Sequence, residues 1–122
     1  MTILDNAEKH FASLRVLKEI KVEEWDGSVF YYDPPNIAER NKVLEFYDAQ
    51  KDRFSPDALI AMFMVRARNQ DGSPVFSRAT WDESFKRVQN HYDPDVVQKV
   101  CNEMGGILSV FGRIKPEEAE KN

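Results

Sequence analysis

The chain is 122 residues long, with 42% hydrophobic and 31% charged residues, which is enough apolar material for one core and too little length for two. Its 17 basic residues against 21 acidic ones leave a net charge of -4, without the positive field that a polyphosphate partner demands, so a nucleic-acid-binding role is not expected. A single cysteine, Cys101, allows no internal disulfide, and the longest strongly apolar run, residues 58–65, falls far short of the roughly 20 residues that cross a bilayer.

The first residues, Met-Thr-Ile-Leu-Asp, carry neither a basic nor an apolar leader pattern, which together with the lone cysteine points to a reducing cytoplasm. Ile3, Leu4, Ala7, Phe11 and Leu14 recur at spacings of three and four behind a Thr2/Asp5 cap, the pattern of a short amphipathic helix with Glu8 and Lys9 on its polar face. From Leu17 the period becomes two, with Ile20 and Val22 alternating with charged residues before Trp25-Asp26-Gly27-Ser28 and Val29-Phe30-Tyr31-Tyr32. This predicts a hairpin over about 16–32, with Asp26-Gly27 as a two-residue turn at positive φ.

Asp33-Pro34-Pro35 ends the second strand, and Asn36 with Glu39 forms a capping pair for a second helix over about 37–50, with Ile37, Val43, Leu44 and Tyr47 inward and Glu39, Arg40, Lys42 and Glu45 toward water. Ser55-Pro56-Asp57 announces a third helix, whose run from Ala58 through Leu59, Ile60, Met62, Phe63 and Met64 to Val65 is apolar on all sides and so belongs at the centre of the core. An adaptable methionine-lined groove is the alternative for Met62, Phe63 and Met64. Asn69-Gln70-Asp71-Gly72-Ser73-Pro74 is a turn, after which Val75 and Phe76 re-enter the core. Thr80-Trp81-Asp82-Glu83 reads as a capping box for a fourth helix. Asp93-Pro94 opens a fifth, with Val96, Val97, Val100, Cys101 and Met104 on its apolar face and Gly105-Gly106 at its end. Ile107, Leu108, Val110 and Phe111 suggest one more turn.

The expected fold is therefore mainly α with a small β-hairpin (α+β), about five helices around a central apolar helix. A single globular domain is expected over 1–113, with its helical part over about 36–111, followed by a flexible charged tail over 114–122.

No catalytic, cofactor-binding or metal-binding set emerges. His10 and His91 have no second ligand at metal spacing, and Cys101 lies on an apolar helix face, where a small buried side chain is the ordinary reading. Glycine-rich phosphate loops and nucleophile-elbow motifs are lacking from the sequence, so a non-enzymatic protein without cofactors is expected. The aromatic group Trp25, Phe30, Tyr31 and Tyr32 is the candidate partner-binding surface: successive strand residues point to opposite faces, and either helices cover both faces or one forms an exposed patch.

The order of features resembles the tail assembly chaperones of long-tailed (siphovirus-type) bacteriophages. The resemblance runs over about residues 14–111. It lies in Ile20-Lys21-Val22-Glu23-Glu24-Trp25-Asp26-Gly27, the aromatic strand, the opening Ile37-Ala38-Glu39-Arg40, and the apolar helix leading through Asp71-Gly72-Ser73 to Phe76. It implies a late protein of virion assembly that binds the tape measure protein, keeps it soluble and helps recruit tail tube subunits. Self-association is a further partner expectation, and nucleic acid and membrane are not. The implied location is the cytoplasm of the infected bacterial host, outside the mature virion. The alternative is a structural or adaptor subunit of a phage particle, such as a connector or minor tail protein, or a small cytoplasmic regulatory binding protein.

Overall fold

The computed structural model describes residues 2–111, the last two as backbone only; the tail expected over 114–122 lies outside these residues. The fold is α+β: five α-helices, one main hairpin and a second, very short one.

Helix α1, Ile3–Leu14, starts at a reciprocal capping box in which the Asp5 N–H donates to Thr2 Oγ1 and the Thr2 N–H donates to Asp5 Oδ2, both at 3.2 Å. Strands β1, Val16–Val22, and β2, Gly27–Asp33, pair antiparallel in a register running from Val16 opposite Asp33 to Val22 opposite Gly27. The hairpin stands where the alternation predicts it, but its turn differs. A 3₁₀ turn over Glu23–Trp25 makes the reversal, and Asp26, at φ 49° and ψ 45°, takes the left-handed conformation while Gly27 joins the ladder. Four residues form the loop, because the 3₁₀ turn and one left-handed residue complete the reversal.

Helix α2, Ile37–Leu44, has the expected Asn36/Glu39 capping box, with both bonds at 2.8 Å. It stops well before residue 50. Tyr47–Asp48 (β3) pairs with Arg53–Phe54 (β4) around a turn in which Asp48 Oδ1 accepts from the Gln50 and Lys51 N–H groups and Asp52 takes a positive φ of 49°. Asp48 thus offers the backbone a local partner that competes with helix.

Ser55 caps the turn leading into α3, Ala58–Arg66, by accepting from the Asp57 N–H at 3.1 Å. Helix α3 is the central element and packs on α2, on α4 (Trp81–His91) and on α5 (Pro94–Glu103). Ala61, Met62, Phe63 and Met64 are buried, which removes the reading of a methionine-lined groove; Leu59 and Ile60 are only partly buried. Trp25, Phe63, Phe76 and Tyr92 meet edge to face at centroid distances of 5.6–6.0 Å, the geometry that ring quadrupoles favour. Phe76 therefore reaches the core as expected, whereas Val75 stays exposed.

The capping box read at Thr80 does not form. Residues Arg78–Thr80 make a 3₁₀ turn that runs straight into α4, so Thr80 makes no side-chain cap bond, and Ser77 accepts from the Ala79 N–H instead. Helix α5 begins as read, with Asp93 accepting from the Asp95 N–H at 3.0 Å and Pro94 in its first turn. It ends at Gly105 and Gly106, both at positive φ, before a 3₁₀ segment over Ile107–Phe111.

Candidate functional site

The hairpin aromatics are largely consumed by the fold. Tyr31 is 6% exposed: its hydroxyl donates to the Glu103 carbonyl at 3.1 Å and the Arg66 guanidinium lies 5.2 Å from its ring centre. Trp25 is half-buried against Phe63 and Tyr92. Phe30 is half-buried, and its N–H and carbonyl pair with Arg68 at 3.1 and 2.7 Å, so the segment after α3 covers the edge of β2. Tyr32, also half-buried, has the Arg15 and Arg68 guanidinium carbons 4.5 and 5.5 Å from its ring centre, and its hydroxyl overlies Gly72. Tyr31 is thus buried, whereas Trp25, Phe30 and Tyr32 each keep part of their surface open.

A buried ionic cluster fastens the other side of the hairpin. Glu39, expected to face water, is 3% exposed. Its Oε1 accepts from Arg15 Nη1 at 2.9 Å and its Oε2 from Arg68 Nη2 at 3.4 Å, while Oε1 also caps the Asn36 N–H. The carboxylate is tolerated inside because two guanidinium groups and a backbone donor replace its hydration. Arg66, 1% exposed, donates to the Met104 carbonyl at the end of α5 and to the Tyr32 carbonyl of β2, each at 2.8 Å. Burial lowers its guanidinium from the ordinary value, against the opposing pull of Glu39 and Asp33. A cation at a helix C-terminus satisfies carbonyls that have no partner within the helix. The sequence pattern does not announce this set; its one signal is a pair of arginines, Arg66 in the last turn of an apolar helix and Arg68 just past it, where a buried charge needs carbonyls or carboxylates to receive it.

The outward apolar surface lies elsewhere. No side chain of α1 is buried, although five of its apolar residues share one face. Ile3 is 79% and Leu4 72% exposed, and Ile37, at the start of α2, is 76% exposed rather than turned inward. Between α1 and α2 opens a groove of about 1270 Å³, walled by Phe11 and Leu14 on one side and by Val16, Pro34 and Ile37 on the other. Lys18, ion-paired with Asp33 at 2.7 Å, and Arg40 stand on its wall. Among the described residues, the Nε–H of Arg40 meets no acceptor.

Cys101 is buried, its thiol 3.5 Å from the Leu59 carbonyl, and burial pushes its pKa up to about 12. A thiol so protonated at neutral pH is a poor nucleophile. His10 and His91 are exposed, and among the described residues no group of three or more His, Cys, Asp or Glu side chains is placed to hold a metal ion. No described helix is long and apolar enough to cross a membrane.

No protein-family model matches the chain, and no curated protein matches it in sequence. In three dimensions it is similar to the tail assembly chaperone of bacteriophage HK97, with a TM-score of 0.55 at 20% identity over 76% of this chain and 86% of that one. The likeness is one of fold, and it extends over most of both chains.

Proposed function

We propose that this protein is a phage tail assembly chaperone: a non-enzymatic protein that binds the tape measure protein, keeps it soluble and helps tail tube subunits gather around it in the infected cell. The observation that carries the reading is the fold likeness to the HK97 tail assembly chaperone. The open apolar groove between α1 and α2 is consistent with it, since a chaperone for an insoluble client needs apolar surface that its own core has not used. Apolar burial at about 25 cal/mol per Å², offset by association costs, favours contacts that hold a client and still release it.

The test is co-expression with the long open reading frame expected directly downstream, scoring that product in the soluble fraction. Solubility that appears with the wild-type chain and falls with Ile37→Ser supports the reading. A client equally insoluble with and without the chaperone refutes it, and stoichiometric presence of the chain in purified virions favours a structural subunit instead.

A further inference from the structure

We infer that Arg15 is the positioning residue of the groove between α1 and α2: its guanidinium holds α1 at its angle to α2 and thereby sets the width of the groove. The inference deepens the reading of the groove as the client's seat, and rests on that reading only in the last arm of its test.

Helix α1 ends at Leu14 and β1 begins at Val16, so a single residue joins them. The Arg15 backbone, at φ -83° and ψ 120°, lies in the broad extended region, where small rotations cost little and swing the whole helix. A helix of 12 residues is about 18 Å long, so a turn of about 20° at its root moves its far end by about 6 Å. Apolar packing opposes this swing only weakly, since no side chain of α1 is buried and Phe11 alone among them is half-buried.

The Arg15 side chain supplies the restraint because it touches both walls of the groove. Toward α1, its guanidinium carbon lies 5.5 Å from the centre of the Phe11 ring, one helical turn back. Toward the opposite wall, Nη1 donates to the Pro34 carbonyl at 3.3 Å and to Glu39 Oε1, in the first turn of α2, at 2.9 Å. The Tyr32 ring, its centre 4.5 Å from the same carbon, backs the group from the hairpin. A planar guanidinium can lie on rings and donate within its own plane at once, which a lysine ammonium cannot. The Arg15 side chain is 15% exposed and that of Glu39 3%, so this pair is sheltered from the screening that weakens surface pairs. A second ion pair on the groove wall, Lys18 with Asp33, is about half-exposed and joins β1 to β2, so it cannot restrain α1.

The experiment measures the distance between spin labels on Ala12→Cys of α1 and Asn41→Cys of α2, both exposed positions, in the full chain with Arg15, Arg15→Gln or Arg15→Lys. The buried Cys101 thiol stays unlabelled, and circular dichroism checks the fold. Arg15→Lys keeps a charge opposite Glu39 and so serves as the second variant if Arg15→Gln does not fold. With Arg15 in place a narrow distribution is expected; both variants should broaden it and move it to longer distance, Arg15→Gln the more. Lys18→Gln should leave it narrow. A distribution already broad with Arg15, one unchanged in Arg15→Lys or in a folded Arg15→Gln, or equal broadening by Lys18→Gln overturns the inference. The co-expression assay then separates the two readings. Client solubility that falls in the order of the measured widths supports both. A client equally soluble with a folded, loosened Arg15→Gln chain upholds the role of Arg15 and overturns the groove as the client's seat.

Discussion

Arg15 Nη1 donates to Glu39 Oε1 at 2.9 Å, joining the residue that ends α1 to the first turn of α2 beneath the hairpin. Glu39 also faces Arg68 and caps its own helix, so Glu39→Gln keeps most of the shape and removes the charge. Two guanidinium groups then lose their counter-charge in a largely desolvated place. The expected cost is about 3–5 kcal/mol of unfolding free energy by denaturant titration. Arg15→Gln should cost less, because Arg68 still balances the carboxylate. Equal stability of Glu39→Gln and wild type would show that water reaches the cluster.

Gly72 sits at φ +87°, and a Cβ added there would stand 2.3 Å from the Tyr32 hydroxyl oxygen. Gly72→Ala therefore combines left-handed strain with a collision, and about 1–3 kcal/mol of destabilisation is expected. Tyr32→Phe removes the hydroxyl and should restore part of the loss, leaving the backbone component. A double variant no more stable than Gly72→Ala alone would place the whole penalty in the backbone.

The hairpin turn separates what was legible in the sequence from what was not. Alternation over Ile20 and Val22 and the aromatic run located both strands, because periodicity of two follows directly from the pleat. Turn type depends on which residue bears the positive φ, and both Asp and Gly tolerate it; the chain assigns it to Asp26. Gly27 has an ordinary strand conformation, and a Cβ added there would meet only the Trp25 carbonyl oxygen, at an ordinary contact distance of 3.7 Å. Gly27→Val, which a two-residue turn would make destabilising, is accordingly expected to change stability by no more than about 0.5 kcal/mol, while Asp26→Val costs more. Thermal melts of the two variants check the order.

Caps and apolar faces were legible wherever the signal was local, as at Thr2, Asn36, Asp93 and the valines of α5. Glu39 and Ile37 were misplaced for a tertiary reason. Their burial is decided by Arg15 and Arg68, 24 and 29 residues away, and by a groove that no single helix encodes. The candidate site was hidden by the same logic, since an amphipathic pattern such as that of α1 announces a face without saying whether its own chain covers it.

Cys101 gives a pH signature. Its folded pKa is raised from 9.0 to about 12, so the native state keeps a proton that the unfolded chain releases above pH 9. The stabilising contribution is full below that point and fades as pH climbs from about 9 to 12, with a limiting slope on the order of 1.4 kcal/mol per pH unit. Cys101→Ala should flatten this part of the stability profile. In the native protein at pH 8 the thiol should react with a disulfide reagent only as fast as the fold opens; immediate stoichiometric labelling would contradict its burial.

The contrast between Tyr31 and Ile37 separates folding from binding. Tyr31→Ser deletes a buried ring packed against Arg66 and the hydroxyl that bonds the end of α5, and a loss of about 3–5 kcal/mol is expected, comparable to Phe63→Ala in the central helix. Ile37→Ser removes a side chain that is largely in water already and should leave the melting temperature nearly unchanged. In a pull-down against the client proposed above, a tape measure protein, Ile37→Ser should therefore weaken capture while remaining folded. Any loss of capture by Tyr31→Ser should track its loss of fold, and should vanish under conditions that restore the fold. If Ile37→Ser captures the client fully and a folded Tyr31→Ser does not, the binding surface lies on the hairpin, and the groove between α1 and α2 serves another purpose.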